Sequence, residues 1–180
     1  MKWLCPLESR HHDALLQLYR LAVESCSPEL YSTKQLQAWA RLADPAAPST
    51  TALQRSLSNG QGLVSCEADG TIAAFAVREP ADRIALLYCH PHLQRRGHAS
   101  ALIEGMETQA RLEGVLQLRT EASFVSRPLF ERLGWQRSWQ EELLIHGERF
   151  RRFRLHKALR PILTEWPKLS SSNFSTRSAS

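Results

Sequence analysis

The stretch HPHLQRRGHASALIEGMETQAR, His90 to Arg111, decides how this chain reads. Its first half holds a proline and then Gln94, Arg95, Arg96, Gly97, His98 and Ala99; its second half has the spacing of an amphipathic helix. A helix N-terminus is the positive end of the backbone dipole and normally collects acidic residues. Here two arginines and a glycine stand in that place, and no acidic side chain occurs between Asp82 and Glu104. Main-chain N–H groups at a helix start have no partner inside the helix. Gly97 lets the backbone approach a ligand closely, and Ala99 is small enough to leave that space open. A phosphate or diphosphate suits such a place. A plain helix start with a solvated cationic face has the same composition, so the charges alone leave both readings open. Two other phosphate loops are absent: there is no GxxxxGK[ST], and no GxGxxG follows the first strand.

Working outward, "RIALLYC" ahead of the stretch reads as a buried strand and "VLQLRTEAS" behind it as another. That strand–helix–strand crossover, Ile84–Cys89 to Val115–Glu121, should be right-handed. Gly114 closes the helix, whose apolar positions are Ala101, Leu102, Met106 and Leu112. Upstream, "GLVSCEADGTIAAFAV" is a hairpin turning at Asp69-Gly70, both residues being tolerant of positive φ. "KWLCPL" is an opening strand. A helix capped by Asp13 puts Leu15, Leu18, Tyr19, Ala22 and Val23 on one stripe. Ser32 and Gln35 form a capping box ahead of Leu36 and Trp39; Asp44, Pro45 and Pro48 end that helix. A short helix at Thr51–Leu57 follows. Downstream, "SRPLFERLG" is a two-turn helix with Ser126 as cap, Pro128 in the first turn and Gly134 as stop. A last hairpin turns near His146-Gly147-Glu148. The order predicts an α/β (α+β) fold with a mixed, mostly antiparallel sheet.

At 180 residues the chain is long enough for one domain with a real core, and its 43% hydrophobic and 23% charged residues are ordinary for a globular protein. We place that domain at 1–158 and a Ser-rich, disordered tail at 159–180. The net charge of +5 suits an anionic partner without choosing one. The four cysteines form no CxxC pair and no zinc-like spacing, and read as thiols of a reducing, cytoplasmic setting. The N-terminus lacks the apolar run of a signal peptide, and no stretch is long enough to span a bilayer. His90 and His92 flank Pro91 without a third ligand, so no metal is expected.

With these elements in place the chain resembles the GNAT superfamily of acetyl-CoA-dependent N-acyltransferases. Gln94-x-x-Gly97-x-Ala99 matches the family's Q/R-x-x-G-x-G/A signature. "LLYCHPHLQRRGHASALI" is similar to its fourth strand, pyrophosphate loop and third helix. "EASFVSRPLFERLGWQ" is similar to its strand and short helix ending in Gly-aromatic, and "LYSTKQLQAWA" resembles the acceptor-side helix of the YafP-like bacterial branch. Together these cover roughly Leu4 to Lys157. One hexapeptide is weak, whereas three segments in order and on the right elements are specific.

The resemblance implies a sheet of about six or seven strands with about four helices, its two central strands splayed into a CoA cleft. It implies acetyl-CoA as co-substrate and direct transfer to an amine, either a small molecule or an exposed protein amine, by a monomer or homodimer. Main-chain groups of Leu87, Tyr88 and Cys89 would hold the pantetheine arm, with the N–H of Leu87 or of its neighbour facing the thioester carbonyl. Such a donor is typically worth ~3 kcal/mol in the transition state. Gln94, Arg95, Arg96, Gly97, His98 and Ala99 would hold the pyrophosphate. Ser123 stands where relatives carry an asparagine that bonds the cofactor arm. Where many relatives have a tyrosine proton donor, this chain has Phe130, which leaves Ser123 or Tyr88 as the possible acid. Glu121 and Asp82 are candidate bases. Tyr31 and Trp39 belong to the acceptor side; helix packing is the favoured reading of Trp39, and Tyr31, just before the cap at Ser32, is the one expected to reach the pocket. Cys89 has no partner base and reads as packing rather than as a nucleophile.

Two other readings stay open. Phe130 makes a non-catalytic acyl-CoA-binding GNAT module conceivable. "RFRRFRLHK", Arg149–Lys157, interleaves cations with aromatics in the manner of a nucleic-acid surface, yet Phe153 and Leu155 alternate with Arg152 and Arg154 as in a half-buried strand.

Overall fold

The computed structural model describes residues 2–44 and 50–160. Its strands are β1 (Trp3–Pro6), β2 (Gln61–Cys66), β3 (Ile72–Arg78), β4 (Arg83–Cys89), β5 (Gln117–Ala122), β6 (Gln136–Ile145) and β7 (Glu148–Ala158). Its helices are α1 (His12–Glu24), α2 (Thr33–Ala40), α3 (Thr50–Asn59), α4 (His98–Leu112) and α5 (Arg127–Arg132). The seven strands make one sheet in the order β1-β2-β3-β4-β5-β7-β6, antiparallel throughout except for β4 and β5, which run parallel.

Alternation along the strands divides the core between the two faces. On one face Ala74, Ala76, Leu118 and Phe153 meet Leu102, Ile103 and Met106 of α4 and Phe130 of α5. On the other, Val64, Phe75 and Val77 meet Leu15, Leu18, Tyr19 and Val23 of α1. The Ser32–Gln35 capping box is present in both directions, Gln35 N–H to Ser32 Oγ at 3.2 Å and Ser32 N–H to Gln35 Oε1 at 2.8 Å. The β6–β7 turn uses positive φ at His146 (47°) and Gly147 (83°), the pair that matches strand twist in a two-residue hairpin.

Several local expectations are corrected. α1 begins at His12 with Asp13 inside its first turn, where the carboxylate complements the dipole instead of capping. At the β2–β3 turn only Gly70 has positive φ (88°); Asp69 stays on the other side of φ and accepts the Thr71 N–H at 2.9 Å. Leu112 is 70% exposed, because the buried stripe of α4 runs through Leu102, Ile103, Met106 and Ala110 and has rotated past it. Ser126 gives α5 no side-chain cap, since it is already in helical geometry. Ser123 does that work: its Oγ accepts the Ser126 N–H at 3.1 Å while Ser126 Oγ accepts the Ser123 N–H at 3.0 Å. Leu159, assigned to the tail, is buried and donates its N–H to Leu116 O at 2.7 Å. Pro45, Pro48 and the rest of the tail from 161 lie outside the described residues.

Candidate active site

β4 and β5 share two rungs, Arg83 opposite Arg119 and Ile84 opposite Thr120, and no more. Just beyond, Ala85 is an extra residue in β4: Val77 faces Leu86 and Arg78 faces Ile84, so nothing stands opposite Ala85. Such a bulge bends its strand. β4 follows β3 and leaves β5. The His90 N–H donates to Ala73 O at 2.7 Å. Stepping back by twos along an antiparallel ladder, Tyr88 and Leu86 also spend their main-chain groups on β3. Those of Leu87 and Cys89 point instead across the gap toward β5. Tyr88 contributes its ring, stacked on Phe75 at 5.7 Å and against Tyr19 at 4.5 Å on the α1 face.

The gap opens onto the segment quoted first. A 3-10 turn at Pro91–Leu93 leads to extended Gln94, then Arg95 at φ 60° and Gly97 at φ 84° before α4 starts at His98. Alternating left-handed residues turn successive N–H groups toward one concavity. No side chain caps α4 and no acidic residue occupies its first turn. The donors that a helix normally satisfies with its own Ser or Asp are therefore left for something else. Gln94, Arg95, Gly97, His98 and Ala99 line one end of a cleft of about 1020 Å³, whose walls are Leu87 and Cys89 on one side and Glu121 and Ser123 on the other. Its far end is formed by Val23 and Cys26 at the end of α1, with Trp39 and Tyr88. Arg96 faces away and approaches Glu67 at 3.5 Å. The His98 ring also turns away from the cleft, to Ser65 and Glu67.

The catalytic candidates are placed as follows. Glu121 is engaged at both oxygens: Oε2 accepts from Arg83 Nε at 2.7 Å, Oε1 from Arg154 Nη1 at 3.1 Å, with Arg119 at 3.8 Å. Asp82 pairs with Arg119 at 2.9 Å, away from the cleft lining. Ser123 Oγ lies on the cleft wall, 3.2 Å from Ser126 Oγ. Phe130 lines the cleft as well, held edge-on to Trp135 at 4.9 Å. Tyr31 does not reach this cleft; it is buried, and its hydroxyl accepts the Phe124 N–H at 3.0 Å, so it braces the turn after β5. Burial pushes the Tyr88 hydroxyl up to about 12 and the Cys89 thiol up to about 11. The described residues hold no group of three metal-ligating side chains.

The cations of "RFRRFRLHK" are largely paired. Arg149 and Arg151 reach Glu142, Arg152 and Arg154 reach Glu141, and Lys157 Nζ reaches Glu107 at 2.7 Å. Sequence reading missed Glu107, which is buried at 3% and accepts from Lys157, Arg111 and Trp135. It also missed Thr120, Ser65 and Glu67. The only signal for the last two was their spacing of two at the end of β2; their partner lies 31 or more residues away.

The chain is 25% identical over 142 residues to an Escherichia coli (strain K12) relative named an uncharacterized N-acetyltransferase, YafP, covering 77% of this chain and 84% of that one. It is similar in structure to a GCN5-related N-acetyltransferase from Rhodopseudomonas palustris, with a TM-score of 0.80 at 26% identity over 88% of this chain and 96% of that one. The PaiA N-acetyltransferase of Thermoplasma acidophilum, solved in complex with coenzyme A, shares the fold at a TM-score of 0.65 and 17% identity, over 88% and 99% of the two chains. Residues 29–157 match the family model described as the acetyltransferase (GNAT) domain. The chain therefore belongs to the GNAT acetyltransferases, a family of enzymes whose activity is acetyl-CoA-dependent N-acetylation.

Proposed function

We propose that this protein moves an acetyl group from acetyl-CoA directly to an amine, with the opening between β4 and β5 above the uncapped start of α4 as the place of reaction. The observation that carries this reading is the coincidence of two sets of unspent main-chain donors in one cleft: those of Leu87 and Cys89, and those from Arg95 to Ala99. The first set suits an extended amide-bearing arm, added as a strand would be. The second suits a diphosphate, to which Arg95 adds charge. A Cβ at Gly97 would come within 2.5 Å of Lys2 Nζ, and positive φ disfavours any other residue there, so the loop keeps its close approach only with glycine.

The chemistry follows from these positions. A neutral amine forms a bond to the acyl carbon, the carbonyl oxygen gains charge, and the Leu87 N–H is the donor placed to stabilise it. The carbon–sulfur bond then breaks, the nitrogen gives up the proton that the amide does not keep, and the thiolate takes up a proton, so none is consumed overall. Ser123 is one of the hydroxyl residues lining the cleft and stands on the wall facing Leu87, and a thiol of pKa ~8.5 needs little help to leave. Glu121, with both oxygens held by arginines, is read as the anchor of the β5 edge rather than as the base. The acceptor enters beside Trp39 and the end of α1, while Tyr31 supports this wall from behind. The four thiols Cys5, Cys26, Cys66 and Cys89 are unpaired, which supports a reducing, cytoplasmic setting.

Calorimetric titration of the folded protein with coenzyme A tests the site, and thiol release across a panel of amines with acetyl-CoA tests the reaction. Saturable binding and turnover of at least one amine are expected. Tight binding without any turnover would favour the non-catalytic reading that Phe130 raises, and no binding at all would remove both.

A further inference from the structure

The loop's rear surface is built as carefully as its front. His98, first residue of α4, is 2% exposed, with Nδ1 2.8 Å from Ser65 Oγ and Nε2 3.1 Å from Glu67 Oε1. A carboxylate only accepts, so Nε2 carries a proton; Nδ1 meets the Ser65 hydroxyl, which can donate or accept. His98 is the hydrogen-bond partner of Ser65 Oγ among the described residues, and Ser65 is 0% exposed. Both partners are on or just past β2, while His98 belongs to the crossover helix, so the two bonds tie α4's first turn to the sheet. Glu67 extends the tie: the same Oε1 lies 3.5 Å from Arg96 Nη1, and its carbonyl accepts from Trp3 Nε1 at 3.2 Å. Lys2 Nζ closes it, 3.4 Å from Arg96 O. His98 holds Glu67's carboxyl below its usual range, with a smaller push from Arg96.

We propose that Ser65 and Glu67 are positioning residues for the diphosphate loop, acting through the His98 ring to aim the N–H groups of Gly97, His98 and Ala99 into the cleft. This rests on the reading of that loop as the CoA site. The physical reason is that Arg95 and Gly97 both sit at positive φ. Such a loop does not hold its shape by local preference alone, so its donors stay convergent only if something outside it fixes the helix start. Glu67 and Ser65 touch neither cleft wall.

The test is coenzyme A titration of the full chain and of Glu67→Ala, Glu67→Gln and Ser65→Ala, with steady-state kinetics for each. Glu67→Ala should weaken coenzyme A binding about tenfold. It should raise KM for acetyl-CoA in step, with KM for the amine unchanged. Glu67→Gln keeps an acceptor for Nε2–H and should recover most of the loss. Ser65→Ala, which removes the hydroxyl that meets buried Nδ1, should resemble Glu67→Ala. Glu67 is partly exposed, so its variants decide the matter even if Ser65→Ala folds poorly. If the parent protein binds coenzyme A and folded Glu67→Ala binds it as tightly, the positioning role is overturned. Equal losses in both KM values would also overturn it, since general loosening would then explain the effect. If the parent does not bind coenzyme A, the site reading falls first and takes this proposal with it.

Discussion

The hydroxyl of Thr120 donates to the carbonyl oxygen of Ile84 at 2.9 Å, across the last rung that β4 and β5 share. A side chain thus takes a main-chain acceptor at the point where the ladder stops, and the strands part without leaving that buried oxygen bare. Thr120→Val keeps the shape and removes the donor. It should cost about 1–2 kcal/mol, seen as a fall in Tm of about 3–6 °C. KM for acetyl-CoA should rise while KM for the amine stays put.

Gly97→Asp should abolish detectable coenzyme A binding by calorimetry, because a side chain disfavours φ 84° and a shifted backbone turns the loop's N–H groups out of convergence. The fold should survive with a loss of about 1–2 kcal/mol from a non-glycine residue at positive φ. Lys2, whose ammonium a new Cβ would meet, is exposed and can swing aside. Undiminished affinity in a folded variant would remove the loop from the site.

Ser123 and Ser126 cap one another's N–H groups, so Ser123→Ala and Ser126→Ala should each lower stability by about 1 kcal/mol. Only Ser123→Ala should lower kcat, if its hydroxyl serves the departing thiolate. Adding Phe130→Tyr to Ser123→Ala should restore part of the rate, since Phe130 also lines the cleft. Equal kcat in the two single variants would reduce Ser123 to a cap.

Cys89 should resist alkylation at neutral pH. Burial raises its thiol to about 11, so the reactive thiolate is scarce below that value and increases as pH approaches it. Mass spectrometry after iodoacetamide treatment should find Cys89 unmodified at pH 7.5 and progressively labelled above pH 10. Ready labelling at pH 7.5 would show that it is not shielded as described.

The protein should pass through immobilised DNA with little salt-dependent retention, because the arginines of β7 that suggested such a surface are matched by Glu141 and Glu142. Retention that falls in Arg152→Ala would reverse this conclusion.

Much of the fold was legible because the signals were local. The Ser32–Gln35 box, the Asp69-Gly70 and His146-Gly147 turns, and Gly97 each concern residues within a few positions of one another, where backbone geometry and hydrogen bonding are dictated by residue type. The errors were also local, and each had a competitor one or a few residues away. Ser123 outcompetes Ser126 as the cap of α5 because it stands outside the helix, with its Oγ directed at the first free N–H. Leu112 has the right residue type for the stripe but sits too far round the helix.

The amino-acid order by itself marked the segment from Gln94 to Ala99 as a helix start with a glycine, two arginines and no acid, because those are properties of neighbours in the chain. It determined the two-faced sheet for the same reason: period two in the strands and near 3.6 in the helices sort apolar residues before any tertiary contact is known. Only the tertiary structure decided that Glu121 is spent on Arg83 and Arg154, that Tyr31 stands behind the cleft wall, and that Ser65 and Glu67 brace His98. Those outcomes depend on which groups compete for one hydrogen-bonding atom across dozens of residues. That competition is settled by packing, which no local pattern records.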